Sequence, residues 1–197
     1  EMVIRDWSSD VCSSDLCVLA DETLAPYPRG ASGEAKYFSE QLIELYVKIF
    51  GIEALILRFS PIYGPAGEKP RFIHNFIDKA LRNKPIVTHR YSNGLPILDL
   101  IHIEDVNAAL RKAVQSRLSG TINIGSGLGR STYDIAHVIK KLTGSSSSID
   151  TIEIDSPFSN IVMNTQKAKS VLSWKSSNEF EQWLQFHIEE IRKKGSS

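Results

Sequence analysis

The stretch "EALILRFSPIYGP", residues 53–65, decides the fold class of this chain. Its first seven residues, Glu53 to Phe59, form a short and nearly continuous apolar run, which is typical of a strand buried on both faces of a parallel sheet. The loop that follows is bracketed by Pro61 and Gly64, so the strand is predicted to end at Phe59. Buried parallel strands of this kind occur in α/β proteins, where helices cover the sheet.

The segments before and after this strand show the periodicity of amphipathic helices. Before it, six apolar residues between Ala35 and Ile49 recur at steps of three and four, and Gly51 ends the predicted helix. The alternation of helices with parallel-type strands predicts an α/β protein. Further helices are predicted over 70–83, 104–117, 131–144, 165–174 and 179–194, with a capping box from Ser131 to Asp134 and with Trp183, Phe186 and Ile191 on the buried side of the last helix.

Two apolar segments flank the tripeptide "SNG" and predict a hairpin. The segments are "PIVTHRY" (85–91) and "PILDLIHI" (96–103), and the pair Asn93-Gly94 between them is a strong signal for the tight turn of a β-hairpin. The expected architecture is therefore a parallel α/β part followed by a mixed region that contains an antiparallel hairpin.

Composition excludes several classes of function. The 197 residues carry 23 basic and 23 acidic side chains, so no overall charge attracts nucleic acid or a membrane surface. Cys12 and Cys17 are five residues apart with no His/Cys cluster around them, so neither a disulfide framework nor a zinc site is predicted. No apolar run approaches the length of about 18 residues that a membrane span needs. The expectation is a soluble, cytoplasmic protein.

The first 16 residues are treated separately from the rest. "RDWSSDVCSSDL", within this segment, has neither helical nor strand periodicity and is rich in serine and aspartate. It resembles translated sequencing-adapter sequence, so residues 1–16 are expected to be an artefactual or disordered leader. The folded unit is expected over residues 17–197.

A stripe of three polar residues begins the first predicted helix. Ser32, Lys36 and Glu40 fall at steps of four, so their side chains lie on one helix face. The stripe is either a surface ion pair near a helix start or a chemical site in which Lys36 holds a ribose or phosphate. Serine is a poor proton donor, whereas a tyrosine beside the lysine would make a working acid and base pair.

Five segments carry motifs that follow one another in order along the chain. The most specific is "ILRFSPIYGP" (56–65), which fits the pattern "LRxxxxYGP". The segment "VLADETLAPYPRGASGEAKYFSEQL" (18–42) is similar to an acidic-Pro loop followed by Tyr-x-x-x-Lys, and "LDLIHIEDV" (98–106) is similar to "RDFIHVEDV". The segment "INIGSG" (122–127) is similar to "YNIGSG", and "NTQKAKSVLSW" (164–174) is similar to "DTSKAxxxLGW". In this order, the five motifs resemble the NAD-dependent epimerase/dehydratase family, the extended short-chain dehydrogenase/reductases that act mostly on sugar nucleotides.

The resemblance implies a fold, a cofactor and a catalytic pair. The fold would be the C-terminal part of a doubly wound (Rossmann-type) parallel sheet plus a small mixed α/β substrate lobe, with NAD or NADP as cofactor. Lys36 matches the family lysine that holds the nicotinamide ribose, while Ser32 occupies the position of the catalytic tyrosine. The family loop that abuts the nicotinamide end of the cofactor matches three residues here, Pro61, Ile62 and Tyr63. Ordinary turn chemistry is the competing interpretation of this loop, since Pro and Gly bracket it in any case.

The resemblance also implies a nucleotide-sugar-like small molecule as partner. Leu98 stands where many relatives have an arginine that clamps a diphosphate, and Arg90 is the candidate replacement. Arg71 and Asn75 fall where relatives turn residues toward the nucleotide. For each of these three candidates, solvated surface placement is the competing interpretation.

Two functional hypotheses follow from the resemblance. The first is a fragment of an NAD(P)-dependent nucleotide-sugar epimerase or dehydratase, inactive as written because the tyrosine is missing and because "GSGLGR" (125–130) lacks the G-x-G-x-x-G spacing of a dinucleotide loop. The alternative is a non-catalytic relative used for binding or for dimerisation. A homodimer through the Lys36 helix is compatible with its apolar residues Leu42, Leu45 and Ile49.

Overall fold

The computed structural model describes residues 17–26, 28, 30–65 and 72–195. The predicted leader, residues 1–16, lies outside this part of the chain. The described residues form an α/β structure in which helices pack around short and mostly parallel strands, as the sequence predicts. The helices are α1 Gly30–Phe50, α2 Phe72–Leu81, α3 Ile103–Gln115, α4 Thr132–Thr143, α5 Gln166–Leu172 and α6 Phe180–Gly195. The strands are β1 Val18–Ala20, β2 Leu55–Phe59, β3 Ile62–Tyr63, β4 Ile86–Tyr91, β5 Ile97–Asp99, β6 Ile101–His102, β7 Gly120–Ile124, β8 Gly129–Ser131, β9 Ile149–Ile154 and β10 Ile161–Met163.

A parallel pair of strands lies at the centre of the first half. β2 pairs with β7 over five residues, from Leu55 opposite Gly120 to Phe59 opposite Ile124. Four successive residues of β2 are buried, which confirms the prediction of a strand covered on both faces. The apolar side chains of this pair pack with those of α3 and α5 in one core cluster, which includes Phe59, Ile122 and Trp174.

A second core cluster holds the helices of the smaller lobe. Residues of α2, α4 and α6 pack around Ile86 at the start of β4, and Ile77, Ile139 and Leu184 are fully buried there. The last helix packs Trp183 and Ile191 partly buried against this cluster, as predicted, but not Phe186. Its buried stripe runs through Phe180, Leu184 and Ile188, at steps of four, and this leaves Phe186 49% exposed.

The predicted hairpin is wrong. The turn exists, because the backbones of Tyr91 and Gly94 exchange two hydrogen bonds of 2.8 Å. However, β4 pairs in parallel with β9, and β5 pairs with β10 and β8 instead of β4. The Asn93 side chain explains the divergence, since its amide both donates to the Phe158 carbonyl and accepts from the Phe158 N–H at 2.9 Å. The turn is thereby tied to the segment between β9 and β10.

The strand order of the mixed sheet brings distant parts of the sequence together. Its order is β1-β10-β5-β8, and the only antiparallel pairing among the described strands is that of β5 with β8. The strand that follows the leader therefore lies beside the strand that precedes α5. This arrangement places the ends of β2, β5 and β10 around one cleft.

Candidate functional site

A cleft opens at the carboxyl end of β2, where the loop from Pro61 to Pro65 meets the start of α2. It consists of two adjoining cavities of about 280 Å³ and about 1020 Å³, and Pro61, Leu98 and Phe158 line both. Ligand sites of α/β folds lie beyond the carboxyl ends of parallel strands, and most have volumes of roughly 300–1,000 Å³. The cleft is therefore the candidate site.

Asp99, at the end of β5, fixes one wall of the cleft. Its carboxylate is buried and accepts four hydrogen bonds, from the N–H and hydroxyl of Ser126 at 2.8 and 2.6 Å, from the N–H of Gly127 at 3.1 Å and from the N–H of Met163 at 3.0 Å. These bonds join β5, the turn after β7 and β10. Gly125 permits the close packing, since a Cβ there would lie 2.7 Å from Asp99 Oδ2.

This arrangement also decides the role of the glycine-rich turn. The N–H groups of Ser126 and Gly127 already donate to Asp99, so they are not available to cradle a phosphate. The segment "GSGLGR" is thus a structural turn, in agreement with its spacing.

A buried ion pair attaches α1 to the parallel strands. Glu40 is fully buried, and Arg58 of β2 donates to its Oε1 through Nε at 2.8 Å and also through Nη2. Arg58 Nη1 donates to the carbonyl of Glu22 at 3.0 Å, and the Glu22 carboxylate accepts from the N–H of Asn123 at 2.8 Å. Glu40 therefore does not belong to a solvated stripe, and its side chain holds the helix against β2.

Three histidines form a cluster beneath the cleft. His102 caps α3, because its Nδ1 accepts from the N–H of Glu104 at 3.2 Å. Its proton therefore resides on Nε2, which donates to Nε2 of His187 at 3.1 Å. The His102 ring stacks on Trp183 at 4.0 Å between centroids, and His74 of α2 lies 6.3 Å from the His187 ring. The cluster joins α2, α3 and α6.

Burial keeps this cluster neutral. It lowers the pKa of His102 to about 4, with His187 adding to the shift and Asp105 opposing it. Burial is also the main cause that lowers the pKa of His187 and that of His74. The unfolded chain binds protons at the ordinary histidine pKa near 6.5, so protonation favours unfolding as the pH falls below that value.

We therefore expect the free energy of unfolding to fall by about 2 kcal/mol between pH 7 and pH 5 through His102 alone. His102→Asn keeps an acceptor at the helix cap but removes the titrating ring. Between pH 7 and pH 5, the free energy of unfolding of this variant should therefore fall by about 2 kcal/mol less than that of the wild type. Urea denaturation at several pH values measures the slope. His89→Gln, which removes an exposed histidine, should keep the wild-type slope. Equal slopes for His102→Asn and wild type would contradict the prediction.

The structure brings one group of the predicted site residues to the cleft. Pro61, Ile62 and Tyr63 all line the larger cavity. Tyr63 is buried against His102 and Phe180, and burial raises the pKa of its phenol, so the hydroxyl stays protonated. These three residues therefore form part of the surface that a ligand in the larger cavity would contact.

The other predicted site residues do not line the two cavities in the part of the chain that the structure describes. Ser32 is exposed and Lys36 is half-buried, one turn apart on α1. Arg90 is exposed on β4 and pairs with Glu153 at 3.6 Å, and Asn75 is exposed on α2. Arg71 lies outside the described residues. Leu98, at the position of the missing arginine, lines both cavities.

Sequence reasoning missed the partners that build the site. Asp99 and Arg58 are charged residues inside otherwise apolar strand segments, "PILDLIHI" and "EALILRF". A charge inside a buried strand needs a partner, so this pattern is the signal that could have pointed to them. Their partners Ser126 and Glu40 carry no such signal, because they lie 27 and 18 residues away.

The described ranges contain neither a metal-ligand cluster nor a membrane-spanning helix. No cluster of three or more His, Cys, Asp or Glu side chains there could hold a metal ion. Among the described helices, none combines the length and the apolar character that crossing a bilayer requires.

The sequence of this chain is similar to that of a known protein family and of a known protein. The model of the NAD dependent epimerase/dehydratase family matches residues 13–125, more than half of the chain. A protein of Methanocaldococcus jannaschii named "Putative UDP-glucose 4-epimerase" is 35% identical over 129 residues, which cover 63% of this chain and 41% of that protein. The segments that carry the resemblance lie mostly within the matched range.

Two solved structures share the fold. UDP-glucose 4-epimerase from Thermotoga maritima, solved with UDP-glucose, is 24% identical with a TM-score of 0.79, and the match covers 98% of this chain and 64% of that one. UDP-glucuronic acid 4-epimerase from Bacillus cereus, solved with NAD, is also 24% identical with a TM-score of 0.79, over 97% of this chain and 62% of that one. The chain spans less than two thirds of these proteins and about two fifths of the archaeal relative. The predictions of family and fold class are confirmed, and the chain belongs to the NAD-dependent epimerase/dehydratase family.

Proposed function

We propose that this chain provides the substrate-binding part of an NAD-dependent enzyme that acts on nucleotide sugars. The observation that carries the proposal is the cleft at the carboxyl end of β2, which is built from the family's strand-and-loop motif and is lined by Pro61, Ile62 and Tyr63. The name of the 35% identical archaeal relative supports a UDP-sugar as ligand. The combined size of the two cavities suits a ligand made of several linked rings.

The cleft provides apolar walls and few charges. Leu98 and Phe158 line both of its parts, and the rings of Tyr91 and Phe158, both in the lining of the smaller cavity, lie 4.9 Å apart between centroids. Aromatic side chains of this kind pack against the apolar face of a ligand ring. A few polar groups of the protein are then enough to pair with the hydroxyl groups of the ligand. The walls thus orient a ligand by shape.

The residues of the cleft fit one end of the cofactor. NAD, when bound, would accept a hydride from the sugar carbon that bears the reacting hydroxyl group, while the hydroxyl group itself gives up its proton to a base. The side chains of Pro61, Ile62 and Tyr63 give the larger cavity an apolar and aromatic lining that a nicotinamide ring can pack against, and half-buried Lys36 is the candidate to hold the ribose. The turn at Ser126 and Gly127 does not fit the pyrophosphate, because Asp99 occupies its N–H groups.

The catalytic pair is incomplete at Ser32. A neutral serine hydroxyl does not readily take the proton of a sugar hydroxyl, and Ser32 stands one turn before Lys36, where the family has tyrosine. We therefore propose that the 197-residue chain binds a nucleotide sugar without turning it over.

Assembly without catalysis is the second candidate function, and the surface of α1 favours it. Among the side chains of this helix, only that of Glu40 is buried. Seven of its large apolar residues are exposed, which is typical of a surface that packs against another element or another subunit. These residues are Phe38, Leu42, Leu45, Tyr46, Val47, Ile49 and Phe50.

A binding titration tests the first proposal. We expect UDP-glucose to cause saturable shifts in the NMR signals of the amides of Ile62, Tyr63 and Phe158, and to leave that of Gly144 at the far end of α4 unchanged. Leu98→Trp replaces a residue that lines both cavities with a larger one, which should occupy the ligand space and abolish the shifts. Val114→Trp adds the same ring on the exposed face of α3 and should leave binding intact.

The same titration separates the two candidate functions. Saturable binding without conversion of UDP-glucose in the presence of NAD supports the proposal, and conversion would contradict the role assigned to Ser32. Absence of binding for both UDP-glucose and UDP would contradict the substrate-binding proposal and would favour assembly.

A further inference from the structure

The turn between β4 and β5 contains the one Asn-Gly pair of the sequence, Asn93-Gly94. The backbone nitrogen of a glycine is not shielded by a side chain. Gly94 has a backbone φ of +110°, and no described atom lies within 4 Å of the position that a Cβ would take. Such a nitrogen can attack the side-chain amide of the asparagine before it. The pair is therefore a candidate site of deamidation, a modification that consumes water and needs no enzyme.

The reaction balances without a cofactor. The Gly94 nitrogen gives up its proton to solvent and bonds to Cγ of Asn93, while the bond from Cγ to Nδ2 breaks and Nδ2 takes up a proton and leaves as ammonia. Water then opens the resulting succinimide ring at either of its two carbonyl carbons, which yields aspartate or isoaspartate at position 93. Both products carry a negative charge, and the side chain of neither has an N–H group to donate.

The fold holds both reacting groups away from this reaction. The Asn93 side chain is bound twice by one residue, since Nδ2 donates to the Phe158 carbonyl and Oδ1 accepts from the Phe158 N–H, both at 2.9 Å. We call these two bonds the Asn93–Phe158 clamp. The N–H of Gly94 donates to the Tyr91 carbonyl at 2.8 Å. The attack requires Cγ to turn toward the Gly94 nitrogen, so it requires a local opening in which these bonds break.

The clamp also holds the segment between β9 and β10. This segment has further attachments to the turn, because the Ser92 N–H donates to the Ser156 carbonyl at 3.0 Å and the rings of Tyr91 and Phe158 lie 4.9 Å apart between centroids. After deamidation, a carboxylate faces the Phe158 carbonyl in place of the donating amide, and its charge repels the partial negative charge of the carbonyl oxygen. The clamp cannot re-form, so a turn that has opened and reacted stays weakened.

We propose that Asn93-Gly94 is a deamidation site under the control of the fold. The Asn93–Phe158 clamp keeps the reaction slow while the turn is closed, and reaction of an opened turn removes the clamp permanently. Because Phe158 lines both cavities of the cleft, the modification also loosens one wall of the candidate site. Neither the reaction nor its control by the clamp requires the proposed function.

The deamidation rate of the 197-residue chain in mildly alkaline buffer tests this proposal. Peptide mass spectrometry follows the change from amide to acid at Asn93, in the folded chain and in the chain unfolded by urea. We expect the folded chain to react about thirtyfold more slowly, the factor that corresponds to two net hydrogen bonds of about 1 kcal/mol each. Asn178, which is exposed and followed by Glu179, is the reference within the same chain. In urea it should react more slowly than Asn93, because the Glu179 side chain shields the attacking nitrogen.

Two variants with matched controls separate the clamp from the rest of the fold. Phe158→Ala removes the ring contact with Tyr91, so the folded variant should deamidate several times faster than the wild type, whereas its rate in urea should not change. Phe186→Ala removes a 49% exposed ring from α6 and should keep both wild-type rates. Asn93→Asp has the chemical form of one product, and its urea midpoint should lie below that of the wild type. Asn178→Asp should leave the midpoint unchanged.

Four outcomes would overturn the proposal. Equal deamidation rates of Asn93 in the folded and the unfolded chain would show that the fold does not control the reaction. A wild-type rate for folded Phe158→Ala would show that the protection does not come from the clamped segment. A rate in urea no higher than that of Asn178 would show that the pair is not a preferred site. An unchanged midpoint for Asn93→Asp would show that the product keeps the turn as stable as before.

Discussion

Replacing Asp99 with alanine is expected to lower the free energy of unfolding by about 4 kcal/mol. The substitution leaves three backbone N–H groups without an acceptor, those of Ser126, Gly127 and Met163, and it also removes the partner of the Ser126 hydroxyl. Each unpaired buried donor costs about 1–3 kcal/mol. Urea denaturation of both proteins at pH 7 measures the difference.

Two further variants make this prediction specific. Asp99→Asn keeps the shape of the side chain but turns one of its two acceptor atoms into a donor, so about half of the loss is expected. Asp155→Ala removes an exposed carboxylate from the segment after β9 and should change the free energy of unfolding by less than about 0.5 kcal/mol. A loss below about 1 kcal/mol for Asp99→Ala would show that the carboxylate does not hold the three segments together.

Replacing Glu40 with alanine is expected to lower the free energy of unfolding by about 3–5 kcal/mol, because it leaves the buried Arg58 guanidinium without its carboxylate. The loss should also release α1, since Glu40 is the one fully buried side chain of this helix. Circular dichroism should therefore show a loss of helix before the global transition. Denaturation and helix content together measure the effect.

A double variant separates charge from packing in this pair. Glu40→Leu combined with Arg58→Met replaces both charges with apolar side chains, and it should recover most of the stability that Glu40→Ala loses. Glu44→Ala, one turn further along α1, removes an exposed carboxylate paired with Gln41 and should have a small effect. The prediction fails if Glu40→Ala and Glu44→Ala are equally stable.

Asp99 and Arg58 are charged residues inside apolar strand segments, and each depends on a partner from a distant part of the sequence, which sequence reasoning could not identify. Periodicity located the helices to within a few residues, because an amphipathic face is encoded in steps of three and four. The capping box at Ser131 is confirmed, since its hydroxyl accepts from the N–H of Asp134 at 3.0 Å. The order of the motifs predicted the family, whereas the cofactor contact of Pro61, Ile62 and Tyr63 remains a prediction.

Other predictions failed or stayed untested because they depend on contacts between residues far apart in the sequence. Asn93-Gly94 forms a turn, but the hairpin around it does not exist, because Asn93 bonds to Phe158, 65 residues away. The roles of Ser32, Lys36 and Arg90 remain predictions, as does dimerisation through α1.

By itself, the sequence determined the α/β class, the family, the approximate bounds of the helices and the loop that ends the buried strand β2. These features depend on neighbouring residues, whose spacing fixes local structure whatever lies elsewhere. Only the tertiary structure decided that Glu40 pairs with Arg58, that Asp99 joins the Ser126 turn to β10, and that the Asn93 side chain binds the backbone of Phe158. The physical reason is that burial removes water as a partner, so each polar group depends on whichever distant segment the fold brings beside it.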